Sequence, residues 1–296
     1  MKFVVTGGRG FIGSHFVERA LHDGHHVVDI DKVTYAACSR LPWDDHLNYT
    51  FIKEDISDLH HLPSCDILIN FAAESHVDNS IKSSDAFMKS NVLGVHNLLE
   101  LVLGKASYDR PLFIQISTDE VYGDRLEGEF KETDVLRPSN PYSATKAAAE
   151  MLVLSYGRTY NLDYIITRSS NNYGERQYEE KLIPKCLSSI SSNKKIPVHG
   201  DGSYVRDWIY VKDNVDGLFD IIESGVKNEI FNIAAENYLT NLEVVNTILS
   251  WYGKDAKLIK FVENRWGQDL RYAVDPSKLK NLGWKPKNIG GIYKWL

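Results

Sequence analysis

The sequence predicts an α/β protein in which a doubly wound parallel sheet is interleaved with a smaller α/β substrate domain. Three observations indicate this fold. Short apolar segments alternate with helical patterns through the first ~170 residues. A glycine pattern, Gly7, Gly10 and Gly13, follows the first apolar segment and opens a helical one. An acidic residue, Asp31, ends the second apolar segment eighteen residues after the last of these glycines.

Six short segments of the first half are predicted as buried strands, because they are apolar and bounded by polar or helical sequence. They are Phe3–Val5, His26–Ile30, Thr50–Ile52, Ile67–Phe71, Leu112–Ile116 and Tyr164–Thr167. Helices are predicted near Gly13–His22, Asp85–Gly104 and Tyr142–Tyr160. Strands that alternate with helices form parallel sheets, whose ligands bind beyond the carboxyl ends of the strands.

The pattern becomes irregular after Asn171, with predicted turns at Gly174, Pro184 and Pro197 and a polar run at Ser188–Lys195. The further predicted elements are a strand at Trp208–Val211, a helix at Asn214–Ser224, a strand at Glu229–Ala234 and a helix near Leu242–Tyr252. No Pro/Gly/Ser linker separates the halves, so we predict two interleaved domains. The doubly wound domain is assigned residues 1–168 and 204–238, and the smaller substrate domain residues 169–203 and 239–296.

Composition limits the class of protein. The 43% hydrophobic and 25% charged residues are typical of a soluble globular chain. The net charge of −6 argues against nucleic-acid or anionic-membrane partners, although a few local cations can still bind a small anion. The three cysteines show neither metal spacing nor a disulfide pattern, which favours a reducing cytosol. No signal-peptide pattern and no apolar run of ~20 residues is present, so we expect a cytoplasmic protein without a metal site.

The glycine pattern indicates dinucleotide binding. Glycines at 7, 10 and 13 permit a tight turn and close backbone approach, so that a pyrophosphate can lie at the amino terminus of the helix opened by Phe11 and Ile12. Asp31 is placed to bind the adenosine ribose diol, and its charge favours NAD because a carboxylate repels a 2′-phosphate. The cations Arg9 and Lys32 favour NADP instead, because they can bind a 2′-phosphate, so NADP is kept as an alternative cofactor.

Further strand ends are expected to line the cofactor. Asp55 and Ile56, after the third strand, are expected to flank the adenine. Ala72 and Ala73, after the fourth strand, leave room for the cofactor backbone.

A phenol and an ammonium, Tyr142 and Lys146, lie one helical turn apart and share a face. Such a pair is most often a solvated helix face. After a dinucleotide fingerprint, and with Thr118 near a strand end, the catalytic interpretation is favoured. Lys146, together with an oxidised nicotinamide, is expected to lower the pKa of Tyr142 so that the phenolate acts as a base.

These features resemble the extended short-chain dehydrogenase/reductases and, within them, the nucleoside-diphosphoglucose 4,6-dehydratases, nearly end to end. The segments that carry the resemblance are Ala72–Asp78, Ser117–Gly123, Asn140–Lys146, Ser170–Gly174, Glu180–Pro184 and Arg206–Trp208. The adjacent pair Asp119 and Glu120 is specific, since epimerases of the superfamily lack it and decarboxylases keep only the glutamate.

The resemblance implies a three-step reaction at one sugar. Tyr142 takes the proton of the 4-hydroxyl as carbon 4 is oxidised, with Thr118 orienting that hydroxyl. Glu120 then removes the proton of carbon 5, while protonated Asp119 gives a proton to the departing 6-hydroxyl. Repulsion between adjacent carboxyls can hold one of them protonated near neutral pH. The hydride then returns to carbon 6, which leaves a 4-keto-6-deoxy sugar nucleotide.

By the same resemblance, the remaining ligand contacts are assigned. Thr34, Phe71, Ser90 and Asn172 join the cofactor set with Lys32. The substrate set is Ser75, Thr118, Asn171, Lys181, Leu182, Pro197, His199, Arg206, Asn241 and Arg265. The two arginines of that set can grip a diphosphate bidentately, against the alternative of ordinary surface arginines.

The nucleotide is less well defined than the chemistry. Thymidine enzymes of this group usually carry tyrosine at the position of His199, whereas uridine enzymes often carry histidine, and they also resemble Ile259–Arg265. We therefore expect UDP-glucose over dTDP-glucose. The chain departs from the family at Ala37–Cys38 and Trp266–Gln268, which affects the adenine loop and the nucleotide contacts.

Relatives form homodimers through a four-helix bundle of the helices near residues 85–104 and 142–160, and a homodimer is expected here. The apolar residues that serve an interface or a core equally well are Val92, Leu98, Leu99, Val102, Met151, Leu152 and Leu154. Two alternatives to the dehydratase remain. One is another enzyme of the superfamily, a 4-epimerase or a decarboxylase, and the other is a dinucleotide-sensing protein without turnover, which needs neither Tyr142 nor Lys146.

Overall fold

The predicted doubly wound parallel sheet is confirmed in a computed structural model of the chain, which describes residues 1–264 and 266–288. Its main sheet has seven strands in the order β10-β6-β5-β4-β1-β2-β3, and every pairing is parallel. The described strands are β1 Lys2–Thr6, β2 His26–Ile30, β3 Tyr49–Ile52, β4 Ile67–Asn70, β5 Leu112–Thr118, β6 Tyr164–Ser169, β7 Asn171–Tyr173, β8 Ile196–His199, β9 Val205–Tyr210, β10 Glu229–Ile233, β11 Tyr238–Thr240 and β12 Ile259–Val262.

The strands outside the main sheet form two small sheets. One has the order β11-β9-β7, and the other pairs β12 with β8. The described α-helices are α1 Phe11–His22, α2 Val77–Lys82, α3 Asp85–Phe87, α4 Gly94–Leu103, α5 Pro141–Tyr160, α6 Leu182–Ser191, α7 Val211–Glu223, α8 Asn241–Trp251 and α9 Ser277–Lys280.

Both faces of the main sheet are covered by helices, as buried parallel strands require. On one face, side chains of α1 and α7 such as Phe16 and Phe219 pack against the strands. On the other face, α4 and α5 contribute Leu99 and Val153. The candidate interface residues Leu98, Leu99 and Val102 are buried in this second core, whereas Met151 is 49% exposed.

The helix predicted near Asp85–Gly104 contains a π-helical turn, Met88–Leu93, between α3 and α4. Such turns are frequent at functional sites because they redirect side chains within a helix. Here the turn buries Ser90 and Asn91. The Asn91 side chain accepts a hydrogen bond from the Glu74 amide and donates to Thr145, which ties the turn to α5.

Two prolines at which the sequence predicts turns lie inside regular elements. Pro184 lies in the first turn of α6, where the missing amide hydrogen would have had no helical partner in any case. Pro197 lies in β8, which pairs only with β12 among the described strands and is therefore an edge strand that tolerates proline. The predictions of irregular structure at these two positions were therefore wrong.

Within residues 1–264 and 266–288, no helix has the length and apolarity needed to cross a membrane. The same residues contain no group of three or more His, Cys, Asp or Glu side chains placed to hold a metal ion.

Candidate active site

Two cavities lie at the carboxyl ends of the main-sheet strands. The first is lined by every residue of the predicted catalytic and cofactor sets, which are Gly7, Gly10, Phe11, Ile12, Gly13, Asp31, Lys32, Thr34, Asp55, Ile56, Phe71, Ala72, Ala73, Ser90, Thr118, Asp119, Glu120, Tyr142, Lys146 and Asn172. It is also lined by Ser75, Asn171 and Lys181 of the substrate set. The second cavity shares Glu120, Asn171 and Lys181 with the first and adds Leu182, Arg206 and Asn241.

The glycine loop forms a cradle at the end of β1 that only glycine permits. Gly7 has a φ of +73°, and a Cβ there would lie 2.6 Å from the Ala72 nitrogen. The Gly10 amide donates to the Gly7 carbonyl, which closes a tight turn before α1. No side chain of this turn blocks the start of α1, so its free amide groups can bind a pyrophosphate. The residues present therefore fit a dinucleotide.

The charges around Asp31 favour a free ribose diol over a ribose phosphate. The Asp31 carboxylate accepts hydrogen bonds from the amides of Arg9 and Val33, at 3.0 and 2.7 Å. The Arg9 guanidinium turns away from the cavity and is buried on Asp44 at 2.6 Å. Lys32 donates to Ser90 and lies 3.6 Å from both Asp55 and Glu74. Both cations that favoured NADP are thus already neutralised by carboxylates.

The catalytic candidates on β5 are held by a short 3₁₀ turn, Asp119–Tyr122. The Thr118 hydroxyl accepts a hydrogen bond from the Glu120 amide at 3.3 Å and donates to Asp119 Oδ1 at 3.2 Å. The Thr118 hydroxyl also acts on the Tyr142 phenol, whose pKa it lowers. The strand end therefore joins one hydroxyl, two carboxyls and one phenol in a single buried group.

The helix α5 begins with a capping box that positions Tyr142. The Asn140 side chain accepts from the Ser143 amide, and Pro141 occupies the first helical position, where it costs no helical hydrogen bond. One turn later, Lys146 donates to the Ile116 carbonyl at 2.5 Å. Its burial lowers the pKa of Lys146 to about 8, because burial disfavours the ammonium.

The expectation that Lys146, together with an oxidised nicotinamide, lowers the pKa of Tyr142 stays a prediction, because in the protein alone that pKa is raised. Burial of the phenol raises the pKa of Tyr142, and the carboxyls of Glu120 and Asp119 raise it further. The Lys146 ammonium bonds to the backbone of β5 instead of the phenol. Sequence spacing placed both groups on one face of α5, but it could not show that the carboxyls act on the phenol more strongly than the lysine.

The two adjacent carboxyls have different environments. Burial, together with the charge of Glu120, raises the pKa of Asp119 to about 8. Burial also raises the pKa of Glu120, but Arg206, Lys181 and a hydrogen bond from Asn140 act in the opposite direction. Asp119 Oδ2 has no hydrogen-bond partner among the described residues. At neutral pH the protonated form is therefore favoured at Asp119, whereas Arg206 and Lys181 stabilise the charged form of Glu120 against the effect of burial.

The Arg206 guanidinium is more constrained than a surface phosphate clamp. It donates to the carbonyls of Val205, Asp269 and Leu270, and it lies 4.2 Å above the ring of Tyr272. Its side chain still lines the second cavity, close enough to Glu120 and Asp119 to lower the pKa of both.

The nucleotide end is less well defined by the cavities. Pro197 and His199 lie on β8 and line neither cavity, and the His199 ring is bonded to the Glu263 carbonyl at 2.9 Å. The predicted contact Arg265 lies outside the described residues. The assignment of these three residues to the nucleotide stays a prediction.

Sequence reasoning missed several polar side chains of the site. Gln177 lines both cavities, and Asn140, Gln268 and Tyr272 line the second. Asn140 could have been noticed, because an asparagine before proline and three residues before serine is a helix-start signal. Gln177, Gln268 and Tyr272 lie in segments without periodicity, and no local pattern distinguishes them.

Comparisons with known proteins agree with the geometry. Residues 4–289 match the protein-family profile described as GDP-mannose 4,6 dehydratase. The chain is 46% identical over 294 residues to the low-salt glycan biosynthesis protein Agl12 of Haloferax volcanii, covering 97% of this chain and 94% of the relative. It is 40% identical over 302 residues to a trifunctional UDP-glucose 4,6-dehydratase, 3,5-epimerase and reductase of Arabidopsis thaliana, covering 97% of this chain and 45% of that protein.

A similar crystal structure is that of DesIV, a dTDP-glucose 4,6-dehydratase from Streptomyces venezuelae with NAD bound. It superimposes with a TM-score of 0.94 at 36% identity, covering all of this chain and 94% of DesIV.

Proposed function

The chain belongs to the GDP-mannose 4,6 dehydratase family, and we propose that it is an NAD-dependent nucleotide-sugar 4,6-dehydratase that acts on UDP-glucose or dTDP-glucose. The observation that carries this proposal is the unequal carboxyl pair beside the phenol. Asp119 is buried with its pKa raised to about 8, while Glu120 faces Arg206 and Lys181. An acid and a base that adjoin one phenol suit oxidation followed by elimination at one sugar.

The cofactor is held by the glycine cradle, Asp31 and the strand ends that line the first cavity. When bound, NAD accepts the hydride of carbon 4 and later returns it to carbon 6. The Lys146 ammonium is bonded to the Ile116 carbonyl and does not contact the phenol directly. The oxidised nicotinamide would add a positive charge that stabilises the phenolate of Tyr142. Tyr142 takes the proton of the 4-hydroxyl, and Thr118, which lines the same cavity, orients that hydroxyl.

The elimination follows from the same geometry. The 4-ketone acidifies the hydrogen on carbon 5, and Glu120 removes it as the 5,6 double bond forms. Asp119 transfers its proton to the 6-hydroxyl, which leaves as water. Carbon 5 then regains a proton as carbon 6 regains the hydride, so the product is the 4-keto-6-deoxy sugar and the cofactor is unchanged overall.

The acid role of Asp119 predicts a pH dependence. Asp119 holds its proton below its pKa of about 8, so dehydration should slow as the pH rises through that value. Lys146, whose pKa is also about 8, contributes to the same decline. Replacing Asp119 by Asn should lower kcat about 10²- to 10⁴-fold and leave a shallower decline, because the side chain at position 119 then no longer titrates. Product formation between pH 6 and 10 measures both effects, and an equally steep profile in the variant would contradict this role.

Incubation with UDP-glucose and with dTDP-glucose in parallel tests the proposed function. We expect a product that has lost one water, detected by mass spectrometry, with UDP-glucose consumed faster. The histidine at position 199 and the resemblance around Ile259–Arg265 support this order. Loss of water from neither substrate would reject the dehydratase, whereas faster use of dTDP-glucose would reject only the uridine preference.

The alternatives within and outside the superfamily are less well supported. A 4-epimerase has no need of a buried protonated carboxyl beside a second carboxylate. A dinucleotide-sensing protein requires neither the buried Tyr142 nor the buried Lys146, each of which costs free energy to bury.

We further propose a cytoplasmic homodimer in which residues 1–168 with 204–238 form the NAD-binding domain and residues 169–203 with 239–296 the nucleotide-sugar-binding domain. Exposed apolar side chains on the bundle helices support the dimer, namely Met88, Leu93 and Met151 at 47%, 57% and 49% exposure. The free thiols of Cys38, Cys65 and Cys186 support a reducing compartment. Sedimentation at the mass of one chain at micromolar concentration would contradict the dimer.

A further inference from the structure

Gln177 presents a hydrogen-bond acceptor where the two cavities meet. Its side chain lines both of them. Its Nε2 donates to the Asn172 carbonyl at 2.8 Å. Because a carbonyl can only accept, the amide nitrogen must face Asn172, and this fixes the direction of Oε1. That oxygen is buried and has no hydrogen-bond partner among the described residues.

The backbone around Gln177 is anchored on both sides. Arg176 adopts a left-handed conformation with a φ of 65°, and its guanidinium donates to Glu18 on α1 at 2.6 Å. Glu175 accepts a hydrogen bond from Tyr210. After Gln177, Glu180 accepts from Tyr35 at 2.9 Å. Because these anchors lie so near Gln177 in the chain, they limit the positions available to its Oε1. The acceptor is therefore preorganised before any ligand binds.

We propose that Gln177 Oε1 accepts a hydrogen bond from the 2- or 3-hydroxyl of the hexose and thereby sets specificity for the sugar. This inference rests on the proposed function. Tyr142 and Glu120 both line the first cavity, and Glu120 also lines the second. A hexose whose carbon 4 meets Tyr142, and whose nucleotide extends into the second cavity beside Arg206, therefore lies where the two cavities meet. Gln177 lies at the same junction.

The reaction explains why the 2- and 3-hydroxyls are the suitable donors. The 4-hydroxyl becomes a ketone and the 6-hydroxyl leaves as water, so neither remains a donor throughout the cycle. The 2- and 3-hydroxyls do not react. A fixed acceptor on one of them can hold the ring in place through oxidation, elimination and hydride return, which a multistep reaction in one site requires.

An unpartnered buried acceptor also discriminates against sugars that lack the hydroxyl. A ligand without the donor leaves Oε1 desolvated and unpaired, and such a loss corresponds to about ten- to a hundredfold in affinity or rate. The deoxy analogue should therefore lose more affinity or rate at this site than it would if the missing hydroxyl were exposed to water.

The test compares the parent sugar nucleotide with its 2-deoxy and 3-deoxy analogues on the wild type and on Gln177→Met. We expect the wild-type kcat/KM to fall about ten- to a hundredfold for one of the two analogues. Gln177→Met should lower kcat/KM for the parent by a similar factor and remove the discrimination against that analogue. The matched control is Glu179→Met on the same loop, whose exposed side chain lines neither cavity and which should discriminate like the wild type.

Calorimetric binding of the same three sugar nucleotides, and of the bare nucleoside diphosphate, separates this inference from the proposed function. Discrimination in binding that Gln177→Met abolishes, without water loss by the wild type, would reject the dehydratase but support the role of Gln177. Discrimination that persists in Gln177→Met would overturn the inference. Weaker NAD binding in that variant with unchanged sugar discrimination would also overturn it, because the acceptor would then face the nicotinamide.

Discussion

Replacing Glu120 by Gln is expected to stop water elimination while carbon 4 can still be oxidised. The amide keeps the shape of the side chain but cannot accept the proton of carbon 5, and loss of a positioned base costs about 10²- to 10⁴-fold in rate. Tyr142, Thr118 and Lys146, which serve the first step, are unchanged. A 4-keto hexose that keeps its 6-hydroxyl should therefore form in an amount close to that of the enzyme. Reduction with borodeuteride should trap it with deuterium on carbon 4.

The measurement for this variant is mass spectrometry of the trapped sugars, together with the exchange of the hydrogen on carbon 5 in deuterated water. Exchange should be lost in Glu120→Gln and retained in the wild type. The same substitution at Glu127, an exposed glutamate outside both cavities, should leave dehydration unchanged. Water loss at the wild-type rate in Glu120→Gln would assign the base to another group.

Replacing Tyr142 by Phe is expected to block the reaction one step earlier. Without the phenol oxygen, Lys146 does not replace it as the base for the 4-hydroxyl, because its ammonium is bonded to the Ile116 carbonyl. The overall rate should fall about 10²- to 10⁴-fold. Unlike Glu120→Gln, this variant should yield no trapped 4-keto hexose and no exchange at carbon 5, because the ketone that acidifies carbon 5 never forms.

The control for this prediction lies on the same helix. Tyr160 is 45% exposed at the end of α5, so Tyr160→Phe should keep full activity. Binding of the nucleoside diphosphate to Tyr142→Phe should also be unchanged, since the phenol belongs to the sugar end of the first cavity. Rapid ketone trapping by Tyr142→Phe would show that the phenol is not the base of the first step.

The elements of the main sheet could be predicted from local sequence, because short apolar segments between helical patterns form few structures other than buried parallel strands. The strand His26–Ile30 was predicted to the residue, and α5 was predicted within one residue at its start. The elements missed were short or contained proline, such as α6 and β8, whose stability depends on partners distant in the chain. Hydrophobic periodicity, which is a local property of the sequence, gives no information about such distant partners.

The site, too, was predicted in part: motif spacing located its residues but did not indicate the directions of its long side chains. Motif spacing located the cofactor cradle and the group of Thr118, Asp119, Glu120, Tyr142 and Lys146, because parallel strands bring their carboxyl ends to one edge of the sheet. It did not indicate that Arg9 is turned away onto Asp44, or that Arg206 is held by three backbone carbonyls. Arginine side chains are long, and their direction is decided by acceptors from other segments.

By itself, the sequence determined the fold class, the residues that gather at the sheet edge and the family to which the chain belongs. Only the tertiary structure decided that Asp119 favours its proton and that the Lys146 ammonium bonds to the backbone of β5. It alone also showed that Gln177 Oε1 has no hydrogen-bond partner among the residues that the structure describes. The physical reason is that protonation and hydrogen-bond direction depend on burial and on charges brought together from distant parts of the chain, whereas turns and periodicity are properties of neighbouring residues.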